Sequence, residues 1–178
     1  MPNRTLNIAY ADPPYIGQAE KHYSHDPNCA EVDHKELVEK MCDCYDGWAL
    51  SLSSPTLPEI LPYCPPKIRI GAWVKPFCAF KKNVNPAYAW EPVIFWGGRR
   101  RTAEQRTVRD YVREPITMKK GLTGVKPEGF CFWVFLSLGM APDDVLHDLY
   151  PGTGAVGRAW DAYCHLWPEI DNDIQLGG

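Results

Sequence analysis

An apolar run that stops at two consecutive prolines constrains this chain more than any other feature. Residues 6–11 read Leu-Asn-Ile-Ala-Tyr-Ala and are followed by Asp12-Pro13-Pro14-Tyr15. Proline fixes φ and carries no amide hydrogen, so the run ends as a strand at residue 11 and leaves the sheet through a stiff turn with free carbonyl acceptors. That turn places a carboxylate, two rigid carbonyls and an aromatic ring within four residues. Chemistry on the exocyclic amino group of an extruded nucleobase needs an acceptor for the amino protons and a flat surface against the base. Asp12 and Tyr15 supply that pair.

Behind this exit, strand and helix patterns alternate. Residues 16–32 are polar and without period, which predicts a long loop over a pocket. His22, His25 and Cys29 fall there but lack a fourth ligand at a usual zinc spacing, so no metal is expected. A helix is predicted from Asp33 as N-cap with Glu36 completing a capping box, its stripe Leu37, Val38, Met41, Cys42 and Tyr45, and Gly47 at its end. Strands are expected at 48–53, 68–75 and 93–96, with one or two helical turns at 56–63. Thr102 and Gln105 predict a further cap, opening a helix to about Arg113 with Val108, Tyr111 and Val112 on one face and Arg106, Arg109 and Arg113 on another. A buried helix at 128–138, closed by Gly139, leads to a strand at 144–149. That strand runs into Asp148-Leu149-Tyr150-Pro151-Gly152-Thr153-Gly154, and a helix at 155–167 follows with Val156, Trp160, Tyr163 and Trp167 at helical spacing. Glycines at such a turn let the backbone approach a ligand, and the helix beginning there aims its amide dipoles at it. The alternation implies an α/β layer fold.

The chain of 178 residues falls within one-domain size, so residues 1–178 are read as a single domain. Seven cysteines, an odd number, with no signal-peptide pattern argue for reduced thiols in a cytoplasmic setting, and no apolar stretch is long enough for a membrane span. The formal charge of −3 hides an asymmetry: between Arg99 and Lys126 nine basic residues face three acids, net +6, leaving −9 elsewhere. A polyanion would be steered to that segment, through Arg99, Arg100, Arg101, Arg106, Arg109, Arg113, Lys119 and Lys120.

Three groups of residues carry a family resemblance. Asp12-Pro13-Pro14-Tyr15, then Trp73-Val74-Lys75 with Trp90-Glu91-Pro92, then Asp148 to Gly154 with Lys126-Pro127 some 22 residues upstream, together resemble the S-adenosylmethionine-dependent amino-methyltransferases of DNA. With the base motif first and the glycine loop last, the order is similar to the circularly permuted β-group of that family. The resemblance covers nearly the whole chain and implies a minimal Rossmann-like sheet with helices on both faces. It implies that Asp12 and the Pro13 carbonyl accept the amino protons, that Pro14 shapes the turn, and that Tyr15 stacks on the base. S-adenosylmethionine would be held by Ala11, Asp12, Lys126, Asp148, Tyr150, Gly152, Thr153 and Gly154, and residues 99–126 would form a short target-recognition insert for DNA.

Two departures stand out. Tyr150 replaces the usual phenylalanine, and only 30 residues follow Asp148, where the family continues with two more strands, the first ending in a carboxylate for the ribose. Glu169, Asp171 and Asp173 lie on a tail with little strand character. The resemblance then implies that the strand at 145–149 is a sheet edge, covered by that tail or by a second copy. A homodimer is the expectation, because Trp160, Tyr163 and Trp167 offer more aromatic surface than a short helix needs. Adenine N6 in DNA is the expected target. An RNA adenosine methyltransferase and a non-catalytic nucleic-acid-binding module are the alternatives.

Overall fold

In the computed structural model, the described residues are 4–14, 32–77, 82–103, 105, 107–116 and 125–175, with the side chains of 168 and 171–175 set aside. Six strands form one mixed sheet: β1 Asn7–Ala11, β2 Gly47–Ser51, β3 Arg69–Val74, β4 Trp90–Gly97, β5 Tyr111–Arg113 and β6 Val145–Asp148. Their order is β5-β3-β4-β2-β1-β6. β1 is parallel to both β2 and β6, β4 is antiparallel to β2 and β3, and β5 is parallel to β3. The helices are α1 His34–Cys44, the single turn α2 Leu57–Ile60, α3 Glu128–Ser137 and α4 Ala155–Gln175.

Strand periodicity divides the apolar residues between two cores. Ile8 and Tyr10 of β1, with Val93 and Phe95 of β4, face α3 and α4 and pack on Phe130, Trp133, Phe135 and Tyr163. Ala9 and Ala11, with Trp48, Leu50 and Ile94, face the other way onto Leu37, Val38 and Met41 of α1. Alternating residues point to opposite faces of a strand, so a sheet apolar on both faces needs helices on both. Asp33 caps α1 as expected, its Oδ1 accepting from the amides of Lys35 and Glu36.

Pro92 is tolerated within β4 because of what lies opposite. On the β3 side it faces Ala72, whose N–H donates away to the Asp110 carbonyl at 2.9 Å, and on the β2 side its carbonyl accepts from Leu52, one residue past the end of β2, so the missing donor falls where that ladder stops.

Four sequence expectations are corrected. Gly47 opens β2 instead of closing α1: it lies directly against Gly97 and Gly98, where a Cβ would clash with the Gly98 backbone. The helix expected at 102–113 is absent among the described residues of that stretch, and residues 111–113 are strand. Gln105 does bond Thr102, its Oε1 accepting from the Thr102 amide at 3.0 Å. The following β-branched and aromatic residues, however, pair as β5 with the edge of β3, Ala72 facing Tyr111 and Val74 facing Arg113. A local helical signal loses there to ladder bonds and to Trp73 and Trp133, whose indole N–H groups donate to the carbonyls of Glu114 and Arg109. The helix expected at 155–167 is longer: α4 runs on past Trp167 to Gln175 and takes in most of the acidic tail. Its aromatics are also spent internally, with Trp160 and Tyr163 against Phe135 at ring separations of 5.1 and 5.3 Å. Among the described residues, no helix is long and apolar enough to cross a membrane.

Candidate active site at the carboxyl edge of the parallel strands

The chain leaves β1 toward β2 on one side, while β6 joins β1 from the other. In open α/β sheets, such a reversal opens a crevice at the carboxyl ends of the strands, where ligands bind. Asp12 directly follows β1, and Asp148 is the last residue of β6, level with Tyr10. The Leu149 amide donates to the Tyr10 carbonyl at 2.9 Å, so the two exits begin side by side. Pro13 is buried and Pro14 half-buried beneath them.

Asp12 heads a chain of alternating charge. Its Oδ1 lies 3.1 Å from Lys126 Nζ, which is 3.6 Å from Glu91 Oε2, and Glu91 Oε1 accepts from Lys75 Nζ. The Trp73 ring lies near both ammonium groups, its centroid 5.0 Å from Lys126 and 4.9 Å from Lys75, and Phe130 flanks Lys126 at 5.6 Å. Burial raises the Asp12 pKa, with Lys126 pulling it back and Glu91 adding to the rise. Lys126 engages the Oδ1 oxygen of the Asp12 carboxylate.

Asp148 is less satisfied. Its Oδ1 accepts a long bond from the Tyr150 amide at 3.3 Å, and its Oδ2 is buried with no partner among the described residues. Burial raises its pKa, and the charge of Asp12 adds to the rise. Beyond it, Gly152 and Gly154 adopt φ of +46° and +72°, a region costly for other residues. A Cβ on Gly152 would meet nothing nearer than the Tyr150 carbonyl at 3.9 Å, so the space beside the loop is open. α4 begins one residue after Gly154, so its unpaired amides face this loop.

The structure thus brings together Asp12, Pro13, Pro14, Lys126, Asp148 and the Gly152–Gly154 turn, with Ala11 buried at the end of β1. Tyr15, Arg106, Lys119 and Lys120 lie outside the described residues, as do His22, His25 and Cys29. The basic segment is divided. Arg113 pairs with Val74 at the same sheet edge as Asp12. Arg99 and Arg101 are at the opposite edge, where Arg99 pairs with Asp144 at 2.8 Å and Arg101 donates to the Leu136 carbonyl. Arg100 and Arg109 are exposed. The common helical face for Arg106, Arg109 and Arg113 is not formed, since residues 111–113 are strand.

Sequence reasoning assigned no role in the site to Lys75, Glu91 or Trp73. A signal was present: each of two apolar strands has one ionisable residue at the same end. Reading it required the β3–β4 register that sets Trp73 opposite Glu91.

No protein-family model matches the sequence, and no curated protein matches it. Solved structures do. A crystal structure of the M1.HpyAVI–SAM complex superimposes with a TM-score of 0.62 at 13% identity, covering 91% of this chain and 80% of that one. A crystal structure of M1.HpyAVI gives a TM-score of 0.57 at 13% identity, covering 90% and 77%. At that identity the likeness speaks to the fold: the six-stranded mixed sheet with its helices resembles a methyltransferase fold.

Proposed function

We propose that this chain transfers a methyl group from S-adenosylmethionine to the exocyclic amino group of a base in DNA, with adenine N6 as the target. The observation that carries the reading is the meeting of Asp12 and Asp148 at the strand-order reversal, beside an open glycine turn that starts a helix. The solved SAM complex on a similar fold supports it.

The residues present fit that cofactor. Among the described residues, Asp148 Oδ2 is a buried acceptor lacking a donor, which the cofactor's ammonium group would supply, and Gly152, Thr153 and Gly154 leave backbone space alongside. Ala11 and Tyr150 would complete the walls. When bound, the cofactor supplies an electrophilic methyl group on a sulfonium. The protein's share is orientation and electrostatics. Asp12 Oδ2 and the Pro13 carbonyl accept the two amino hydrogens and turn the nitrogen lone pair toward the methyl group. Lys126 holds the other oxygen of Asp12, so the carboxylate keeps one direction. Tyr15 is assigned to stacking on the extruded base. As the N–C bond forms at the expense of the methyl–sulfur bond, whose electron pair stays on a neutral thioether, the surplus proton on nitrogen would leave through Asp12 to solvent.

We further read the chain as one domain in the permuted β-group order, with residues 99–126 as its target-recognition segment. Arg100, Arg109 and Arg113 in that segment, together with Arg106, Lys119 and Lys120, are proposed to contact phosphates. Arg99 and Arg101 are already engaged by protein groups, so their part is to fix the segment to the sheet. β6 is the last strand of the described sheet, and Val145 on it is 43% exposed. An apolar edge of this kind is usually covered, which supports docking of a second copy to form a homodimer. Sedimentation equilibrium at tens of micromolar tests this, and a monomer refutes it.

The function is tested by mass spectrometry of nucleosides from DNA and RNA incubated with the protein and methyl-labelled S-adenosylmethionine. Label on N6 of deoxyadenosine is expected. Label on RNA adenosine alone would move the substrate to RNA. Absence of label together with absence of cofactor binding would refute the reading.

A further inference from the structure

We propose that a cleft at the opposite edge of the sheet is a binding site for phosphate esters, separate from the Asp12 pocket. The cleft, about 400 Å³, opens where β3 begins and β4 ends. Four cationic residues line it, Lys67, Arg69, Arg101 and Arg109, against Asp110 as the described acid. In a chain whose net charge is −3, that concentration sets a local field opposite in sign to the whole. Its floor includes Trp133, an apolar wall of low dielectric that strengthens the attraction for an anion.

The cations differ in how much they are already used. Arg101 donates to the Leu136 carbonyl, and Arg109 lies beside the Tyr111 ring with Nη1 3.2 Å from its hydroxyl. Lys67 and Arg69 are exposed, and among the described residues neither forms an ion pair with an acid. Lys67 also holds a left-handed backbone, φ +69°, at a position where glycine or asparagine would sit with less strain. The arrangement is one engaged guanidinium group, Arg101, with three exposed cations, Lys67, Arg69 and Arg109, around the same cleft. It suits a ligand carrying phosphate charge, whether a nucleic-acid backbone or a free nucleotide.

Its place in the fold separates this site from the proposed reaction. Gly97, which lines the cleft, is level with Gly47 at the start of β2, whereas Asp12 follows the end of β1. The five residues of β1 set the two edges about 16 Å apart. A phosphate in the cleft therefore does not belong to the nucleotide whose base enters the Asp12 pocket.

The test compares the wild-type chain with Lys67→Ala/Arg69→Ala, both solvent-exposed positions, and with a control, Lys35→Ala/Lys40→Ala, that removes the same charge from α1. Thermal melting checks that each variant is folded. Three probes are titrated over a salt series without S-adenosylmethionine: a labelled duplex oligonucleotide, adenosine monophosphate and inorganic phosphate. For the oligonucleotide, the cleft variant is expected to lose about tenfold in affinity and to flatten the salt slope by about two, near 0.9 per phosphate contact removed. The control should stay close to wild type. Loss of nucleotide binding with oligonucleotide binding intact would identify free nucleotides as the source of the phosphate. Equal losses in cleft and control variants, or no loss for any probe, would overturn the site.

Discussion

Two aspartates stand at opposite ends of one strand, and their surroundings treat them in opposite ways. Asp144, just before β6, has its side chain fully buried and saturated: it accepts from the amides of Leu6 and Ala141 and from both Nη atoms of Arg99, each at 2.8 Å. Burial pushes its pKa up, but the Arg99 and backbone hydrogen bonds outweigh this and hold it below the ordinary carboxylate range. Asp148, four residues on, has one long bond and one oxygen orphaned among the described residues, and burial with the neighbouring Asp12 charge raises its pKa. A carboxylate whose acceptor sites are all filled holds structure together. One left short of donors is poised for a ligand, because an unmet buried acceptor is unfavourable until something donates to it.

The sharpest break in this contrast is Asp12→Ala. It should lower methyl transfer by about 10²-fold to 10³-fold or more, the scale for removing one oriented polar group from a reacting centre, while cofactor affinity measured by calorimetry changes by a few fold. Retained turnover would move the chemistry away from this edge.

Asp144→Ala should act on stability instead. It strips Arg99 of its partner and leaves two half-buried amides without an acceptor, a loss of about 3 kcal/mol in denaturant unfolding. The same pair sets an acid limit. Because the folded Asp144 pKa is lowered, its contribution is present above the unfolded value of about 3.9 and is lost as pH falls through the lower folded value. A variant as stable as wild type at pH 7 would show that the far edge does not hold the fold.

Asp148→Asn is predicted to separate binding from folding. The amide keeps the acceptor for Tyr150 but loses the charge, so affinity for S-adenosylmethionine should fall about tenfold, the lower end for a hydrogen bond to a charged group. Its raised pKa favours the neutral form in the folded chain, so the ionised carboxylate detracts from stability as pH rises through that value. The Asn variant should melt slightly higher than wild type at pH 7. A lower melting temperature would mean that Asp148 is structural, like Asp144.

The smallest effect is expected from Glu91→Gln. Glu91 raises the Asp12 pKa and shares Lys126 with it, so removing its charge should move the acid limb of the pH–rate profile to lower pH. An unmoved limb, with Lys126→Met equally silent, would show that the charge chain does not reach Asp12.

Periodicity and local chemistry decided much of this protein before any tertiary contact. The exit at Asp12-Pro13-Pro14, the Asp33 cap, the buried α3 and the glycine turn before α4 all follow from residues within one or two turns of each other. Local rules suffice there because φ restriction, capping and dipoles act within a few residues. Register, partner and edge were decided in three dimensions. The chain at 102–113 carries a helical cap and an arginine spacing of three and four, yet residues 111–113 become strand because β3 offers ladder bonds and two indoles donate to the flanking carbonyls of Arg109 and Glu114. Lys75, Glu91 and Lys126 are far apart in sequence and form one charge chain because β3 ends where β4 and α3 begin. The basic run looked like one surface in sequence, but the sheet divides it, fixing Arg99 to Asp144 at one edge and setting Arg113 at the other, on the outer strand β5. Pairing between distant strands carries no local signature, so composition located the charges and only the assembled sheet could decide which of them face a ligand.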